Sequence, residues 1–154
     1  MKNIYRFLFG RFFWIQYNEQ LKYKGAWKKG LFHGKGTLKY ANGSTYTGEF
    51  FEGAKNGHGH YISSEGFEYV GDWLGGKQTG KAQVNYKNGD LYTGKVKNGL
   101  RDGHGELFQV SSSRNHKGRW SKDTLRGEIE IADPNWTFHG SMEVSRSSGS
   151  GTFN

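Results

Sequence analysis

The chain has 154 residues, enough for one domain of ordinary size, and only 33% of it is hydrophobic while 16% is aromatic. That inventory excludes a conventional two-layer core of aliphatic side chains, and the absence of Cys excludes disulfides, thiolate zinc sites and cysteine nucleophiles. Of the formal net charge of +8, nearly all lies at one end: residues 1–35 carry Lys2, Arg6, Arg11, Lys22, Lys24, Lys28, Lys29 and Lys35 against the single acid Glu19. Such asymmetry points to an acidic partner at that end, the plain alternative being a solubility charge on a solvated strand face. Gly occurs 25 times against one Pro. Without a collagen period, that glycine content means tight turns and close backbone approaches.

Residues 1–12 form a basic hydrophobic arm without an acidic residue, carrying Ile4, Tyr5, Phe7, Leu8, Phe9 and Phe12 among Lys2, Arg6 and Arg11. It is too short and too charged for a membrane-spanning helix, which needs about 20 apolar residues. No small-residue cleavage site follows it, against a secretory signal. Three readings stay open: an anchor inserted into a bilayer interface or a partner groove, an uncleaved mitochondrial import segment, and an extra edge strand. The expectation for residues 13–22 is a capping half-repeat, with Ile15 matching Leu38 and Tyr17 matching Tyr40 one unit later.

From residue 23 the chain repeats itself. Tyr23-Lys24-Gly25-Ala26-Trp27 is followed by Gly30 and Gly34-Lys35-Gly36. The same skeleton returns at Tyr46-Thr47-Gly48-Glu49-Phe50, at Tyr69-Val70-Gly71-Asp72-Trp73 and at Tyr92-Thr93-Gly94-Lys95-Val96, each 23 residues after the last. Looser copies start near 116 and 138: His116 stands for the leading Tyr, Asp123 for a turn Gly, Ile129 for the last Gly. Side chains in a strand alternate between faces, so Tyr23, Gly25 and Trp27 share one face and Lys24 and Ala26 the other. Turns are predicted near Gly30, Asn42-Gly43, Gly53, Gly76, Asn88-Gly89 and Gly99, Asn-Gly being a strong hairpin signal. The repeat therefore predicts an all-β, single-layer antiparallel meander of five to six hairpins. Rows of Tyr23, Tyr46, Tyr69, Tyr92 and of Trp27, Phe50, Trp73, Trp120 should run across it, with each ring lying over a neighbouring glycine. Having no opposing layer, this aromatic face must curl on itself or meet a partner.

The pattern Y-x-G-x-(W/F)-x-x-G-x-x-x-G-x-G resembles the MORN (membrane occupation and recognition nexus) repeat over about residues 23–154, most specifically over 23–105. The resemblance implies repeats starting near 23, 46, 69, 92, 116 and 138, the last two degenerate. It also implies binding as the activity, since such repeats occur in membrane-contact, cytoskeletal and ciliary assemblies or beside catalytic domains.

Chemistry is not legible here. His58 and His104 occupy the same offset two repeats apart, roughly 19 Å at the usual strand spacing, too far to share an ion. His58 and His60 lie on one face, but no Cys or nearby carboxylate set completes a zinc site. The G-x-G doublets lack the strand–loop–helix context of a phosphate loop. Glu49, Asp72 and Glu106 fall at unlike offsets, so no acid–base pair is proposed, and the serine-rich stretches 111–113 and 145–150 lack a nucleophile elbow. No catalytic residue, metal or cofactor is expected.

The leading expectation is a non-enzymatic scaffold, a structural subunit of a larger assembly associated with a membrane or the cytoskeleton. Its partner-binding aromatic face would be Tyr23, Trp27, Tyr46, Phe50, Tyr69, Trp73, Tyr92 and Trp120. Contacts to acidic groups would come from Lys2, Arg6, Arg11, Lys22, Lys24, Lys28 and Lys29. The second reading is direct binding of acidic phospholipids by the basic end. Nucleic acid comes third because the rings are needed for packing, and no small-molecule substrate is expected. The expected compartment is intracellular, either cytoplasmic and cytoskeletal (including the cilium) or mitochondrial.

Overall fold

The computed structural model describes residues 14–142 and the backbone of 150–153. The arm of residues 1–12, with its anchor and arginine assignments, lies outside the described residues, as does most of the serine-rich tail. The chain divides into two compact units, up to Gln78 and from Thr79 onward.

In the first unit, β1 (Ile15–Asn18), β2 (Leu21–Lys28), β3 (Leu31–Tyr40), β4 (Thr45–Phe51), β5 (Ala54–Ile62) and β6 (Glu68–Leu74) are ordered in space as in sequence. Each runs antiparallel to the next. The second unit holds β7 (Lys77–Asn85, almost all of it), β8 (Leu91–Lys97), β9 (Leu100–Gln109), β10 (Arg114–Ser121), β11 (Thr124–Ala132), β12 (Thr137–Met142) and β13 (Ser150–Phe153), paired in the same way. Each unit is a single-layer antiparallel meander, and no helix occurs among the described residues. The edge strand β1 sets Ile15 opposite Tyr23, the pairing that Leu38 makes with Tyr46 one unit later.

All six predicted turns are present, in two classes. The first places two consecutive residues at positive φ: Lys29-Gly30, Glu52-Gly53, Gly75-Gly76 and Asn98-Gly99. Positive φ at both central positions gives the turn whose twist matches that of the flanking strands. In the second class Asn42 and Asn88 accept hydrogen bonds on Oδ1 from the amides of Ser44 and Asp90, at 3.0 and 3.1 Å. An Asn two residues ahead of the amide it captures builds its own local turn.

The fifth copy departs in sequence, yet it forms a hairpin. Lys122 and Asp123 adopt φ of 47° and 66°, so Asp123 does the work of the missing turn glycine. Where the first, second and fourth copies carry Tyr over paired glycines, this one has His116, and Gly118 faces Ile129. A Cβ on Gly118 would meet Leu125 Cδ1 at 3.0 Å and Ile129 Cγ2 at 3.3 Å. The larger Ile129, buried here, fills volume that a tyrosine ring occupies elsewhere.

Candidate interaction face

A lattice of tyrosines and glycines organises each unit. Paired glycines run across the strands: Gly25–Gly36–Gly48–Gly59–Gly71 in the first unit and Gly94–Gly105–Gly118 in the second. Over each pair lies the ring of the tyrosine that opens the repeat. A Cβ on Gly48 would stand 2.6 Å from Tyr46 Oη and from Gly59 Cα, and one on Gly105 would stand 2.2 Å from Tyr92 Oη. No side chain fits there. Beyond the pairs the strands bulge, and the tyrosine hydroxyl donates to the backbone carbonyl three residues on. Tyr23 donates to Ala26, Tyr46 to Glu49, Tyr69 to Asp72 and Tyr92 to Lys95, at 2.8–3.0 Å. Burial pushes the phenols of Tyr23 and Tyr92 up to about 12 and that of Tyr46 higher still.

The same face carries the second ring row. Tyr46 meets Phe50 and Trp73 edge-on, with centroids 5.1 and 5.2 Å apart, and Phe32 stacks on Tyr23 at 4.1 Å. Such pairs contribute about 0.5–1.5 kcal/mol each beyond area burial. The family model of the MORN repeat matches residues 23–45, 46–66, 69–91 and 92–113, more than half of the chain, and each of those four blocks opens on one tyrosine of this lattice.

The chain belongs to the MORN repeat family.

No curated protein matches it. MORN repeats are in general non-enzymatic interaction repeats.

The structure corrects one expectation for this MORN chain. Tyr23, Tyr46, Tyr69 and Tyr92 are at most 1% exposed, and Trp27, Phe50, Trp73 and Trp120 at most 9%. These eight rings are consumed by the chain's own packing and present no free face to a partner. Because the glycines direct their absent side chains toward the rings, the opposite face shows glycine backbone as a floor between two polar rows.

In the first unit that floor belongs to a trough of about 680 Å³ walled by Lys24, Thr37, Thr47 and His60 on one side and by Lys35, Glu49 and His58 on the other. Lys22, Lys24 and Lys28 of β2 are exposed on this face by alternation, and Lys22 lies directly opposite the exposed Lys39 of β3. Lys39 in turn holds its ammonium 4.5 Å from the ring centre of Trp14. Lys29, at its turn, is exposed as well. The structure thus gathers the basic residues singled out in β2, and it adds Lys35 and Lys39 from the neighbouring strand.

The second unit has a trough of about 810 Å³ on the corresponding face, bordered by Thr93, Glu106, Lys117, Glu130 and His139 and by His104, Glu128 and Ser141. Carboxylates outnumber ammoniums there. No group of three potential metal ligands occurs among the described residues. His58 and His60 do have nearby carboxylates, which sequence reasoning missed: the register of β5 against β6 sets Asp72 beside His58 and Glu68 beside His60. These partly exposed pairs hold side chains in place on the surface and contribute little to stability.

Two further links were not foreseen. Ser44 and Asp90, each following an Asn-Gly, are buried and accept the amides of Ser64 and Val110 in the next loop, at 3.1 and 3.0 Å. The signal available was a small polar residue after Asn-Gly in both copies.

Proposed function

We propose that this MORN chain is a non-enzymatic scaffold that joins a larger assembly by binding another protein subunit through its polar face, assisted by the arm of residues 1–12. One observation carries the reading: the aromatic rows are used up internally, leaving the glycine-floored polar face of β2–β5, with its lysines, as the surface offered outward. A lysine-rich surface recruits acidic partners and loses them as salt rises. The assembly would be peripheral to a membrane or part of the cytoskeleton.

The test compares three full-length or near full-length forms in quantitative affinity purification from cells that make the protein. These are the parent, a chain lacking residues 1–12, and Lys24→Glu with Lys35→Glu. The expected result is a defined set of proteins retained by the parent, weakened by salt and lost from the charge-reversed form. Equal retention by all three would refute the reading.

The lysine cluster also favours a second reading, direct binding of acidic phospholipids, each ammonium near an anionic surface contributing about 1 kcal/mol. Co-sedimentation with vesicles of phosphatidylserine and phosphatidylcholine separates the two. Binding to the acidic vesicles by the isolated chain, abolished in the charge-reversed form, supports the lipid reading; no binding leaves the protein partner.

A further inference from the structure

Nine residues after the tyrosine that opens each repeat stands a residue whose side chain lies against the ring row: Phe32, Lys55 and Arg101 in the first, second and fourth copies. Phe32 stacks on Tyr23. Arg101 lies 4.2 Å from the ring centre of Trp120 and gives Nε to Asp123 at 3.0 Å. Lys55 differs from both. Its ammonium is surrounded by the rings of Tyr40, Tyr46, Tyr61 and Trp73, with centroids at 5.4, 5.0, 4.8 and 4.5 Å. Four strands contribute one ring each, and no carboxylate or hydrogen-bond acceptor engages Lys55 Nζ among the described residues.

Those distances and that chemistry suit a different cation from a bare ammonium. A primary ammonium is compact, strongly hydrated and brings three N–H donors, which ring faces satisfy poorly. Burial accordingly pushes the Lys55 amine down to about 8. A methylated ammonium keeps the charge, sheds donors and is the cation for which aromatic cages are the known form of recognition. The spacing agrees. A methyl carbon about 1.5 Å from Nζ, directed at a ring, would stand roughly 3–4 Å from its centre, which is van der Waals contact. Lys55 is also not fully buried, so its long flexible side chain can swing out to solvent to be modified.

We propose that Lys55 is a lysine N-methylation site whose product is held in the cage of Tyr40, Tyr46, Tyr61 and Trp73. In the reaction the neutral amine's lone pair on Nζ attacks the methyl carbon of a sulfonium donor presented by a methyltransferase. The S–C bond breaks, a thioether leaves, and Nζ passes its proton to solvent before the next transfer. The methylated side chain then returns to the four rings and fastens β3, β4, β5 and β6 to one another.

Two measurements test this. Peptide mass spectrometry on the unaltered chain, isolated from cells that make it naturally, should find one to three methyl groups on Lys55. An unmodified Lys55 throughout would overturn the assignment. For the cage, the chain's lack of Cys makes a single introduced thiol unique. Lys55→Cys in the full chain is alkylated in parallel with 2-bromoethylamine and with (2-bromoethyl)trimethylammonium. The two products differ only in three methyl groups. The trimethylated product should melt several degrees higher, whereas the same pair made at the exposed Lys97 should melt alike. Equal or lower stability of the trimethylated product at position 55 would show that the cage does not prefer a methylated cation.

Discussion

Lys55 and Arg101 hold one position in two repeats, and their surroundings could hardly differ more. Arg101 presents its guanidinium to Trp120 while Asp123, 22 residues downstream, accepts from its Nε and from its backbone amide. Lys55 has four ring faces and no counter-charge. The repeat therefore fixes a slot on the ring row without fixing what fills it. In the second unit the departure of Asp123 from the turn glycine supplied an anion, and a permanently charged arginine came with it. In the first unit Gly76 keeps the glycine of that turn, and the cation is left to the rings.

The largest effect should come from closing the space beneath the Tyr46 ring, one wall of the Lys55 slot. Gly48→Val places a branched side chain against Gly59 Cα and the Tyr46 ring, and we expect a loss of about 3 kcal/mol, as in an overpacked core. Denaturant midpoints of this variant and of Lys95→Gln, a surface change in the second unit, provide the measurement; equal midpoints would refute the packing role of the glycine row. A middling effect is expected from Asp123→Asn, which deprives Arg101 of its anion. Charge-assisted hydrogen bonds would suggest up to about 3 kcal/mol, but Asp123 is 41% exposed, which argues for about 1 kcal/mol. Lys55→Met, removing the cation with no partner, should be neutral or slightly stabilising in the same melts. If the two variants lose equal stability, the contrast between the slots is illusory.

The smallest effect is in the pH dependence. Unfolded, the Lys55 amine takes its proton near 10.5; folded, burial holds it near 8. The unfolded state therefore binds more protons between these values, and stability should climb as pH rises from about 8 to 10.5. The ring faces favour the charged form and oppose burial, and part of the side chain is in solvent, so the gain should be about 1 kcal/mol or less. Beyond pH 10 the buried phenols reverse the trend, because the unfolded chain ionises its tyrosines while Tyr23 and Tyr92 wait until about 12. Chemical denaturation across pH 7–11 checks the slope, and Lys55→Met should flatten the rise while keeping the fall.

The contrast also shows what could be read from the residues alone. Strand faces, ring rows, glycine slots and the six turns follow from offsets of two to seven residues within a repeat, where backbone geometry leaves few choices. What escaped depends on register between strands. Asp72 reaches His58 across 14 residues, Ser44 reaches Ser64 across 20, and Asp123 reaches Arg101 across 22. The Lys55 cage draws on residues from 40 to 73 and recurs in no other copy among the described residues, so periodicity could not reveal it. The expected aromatic docking face failed for a related reason. Spacing shows which side chains share a face, but burial depends on how the sheet bends at its bulges.

The links from Ser44 to Ser64, Asp90 to Val110 and Arg101 to Asp123 each span close to one repeat and go no further. The first copy is thus tied to the second, the third to the fourth and the fourth to the fifth by bonds of similar reach, as rungs are tied along a rope ladder. Copying or excising a whole 23-residue block preserves that reach, whereas adding or removing a few residues within a block changes the reach of the rungs that span it and leaves the others as they were. Length in such a chain is quantised: it can grow or shrink by whole repeats, and the span offered to a partner changes in equal steps.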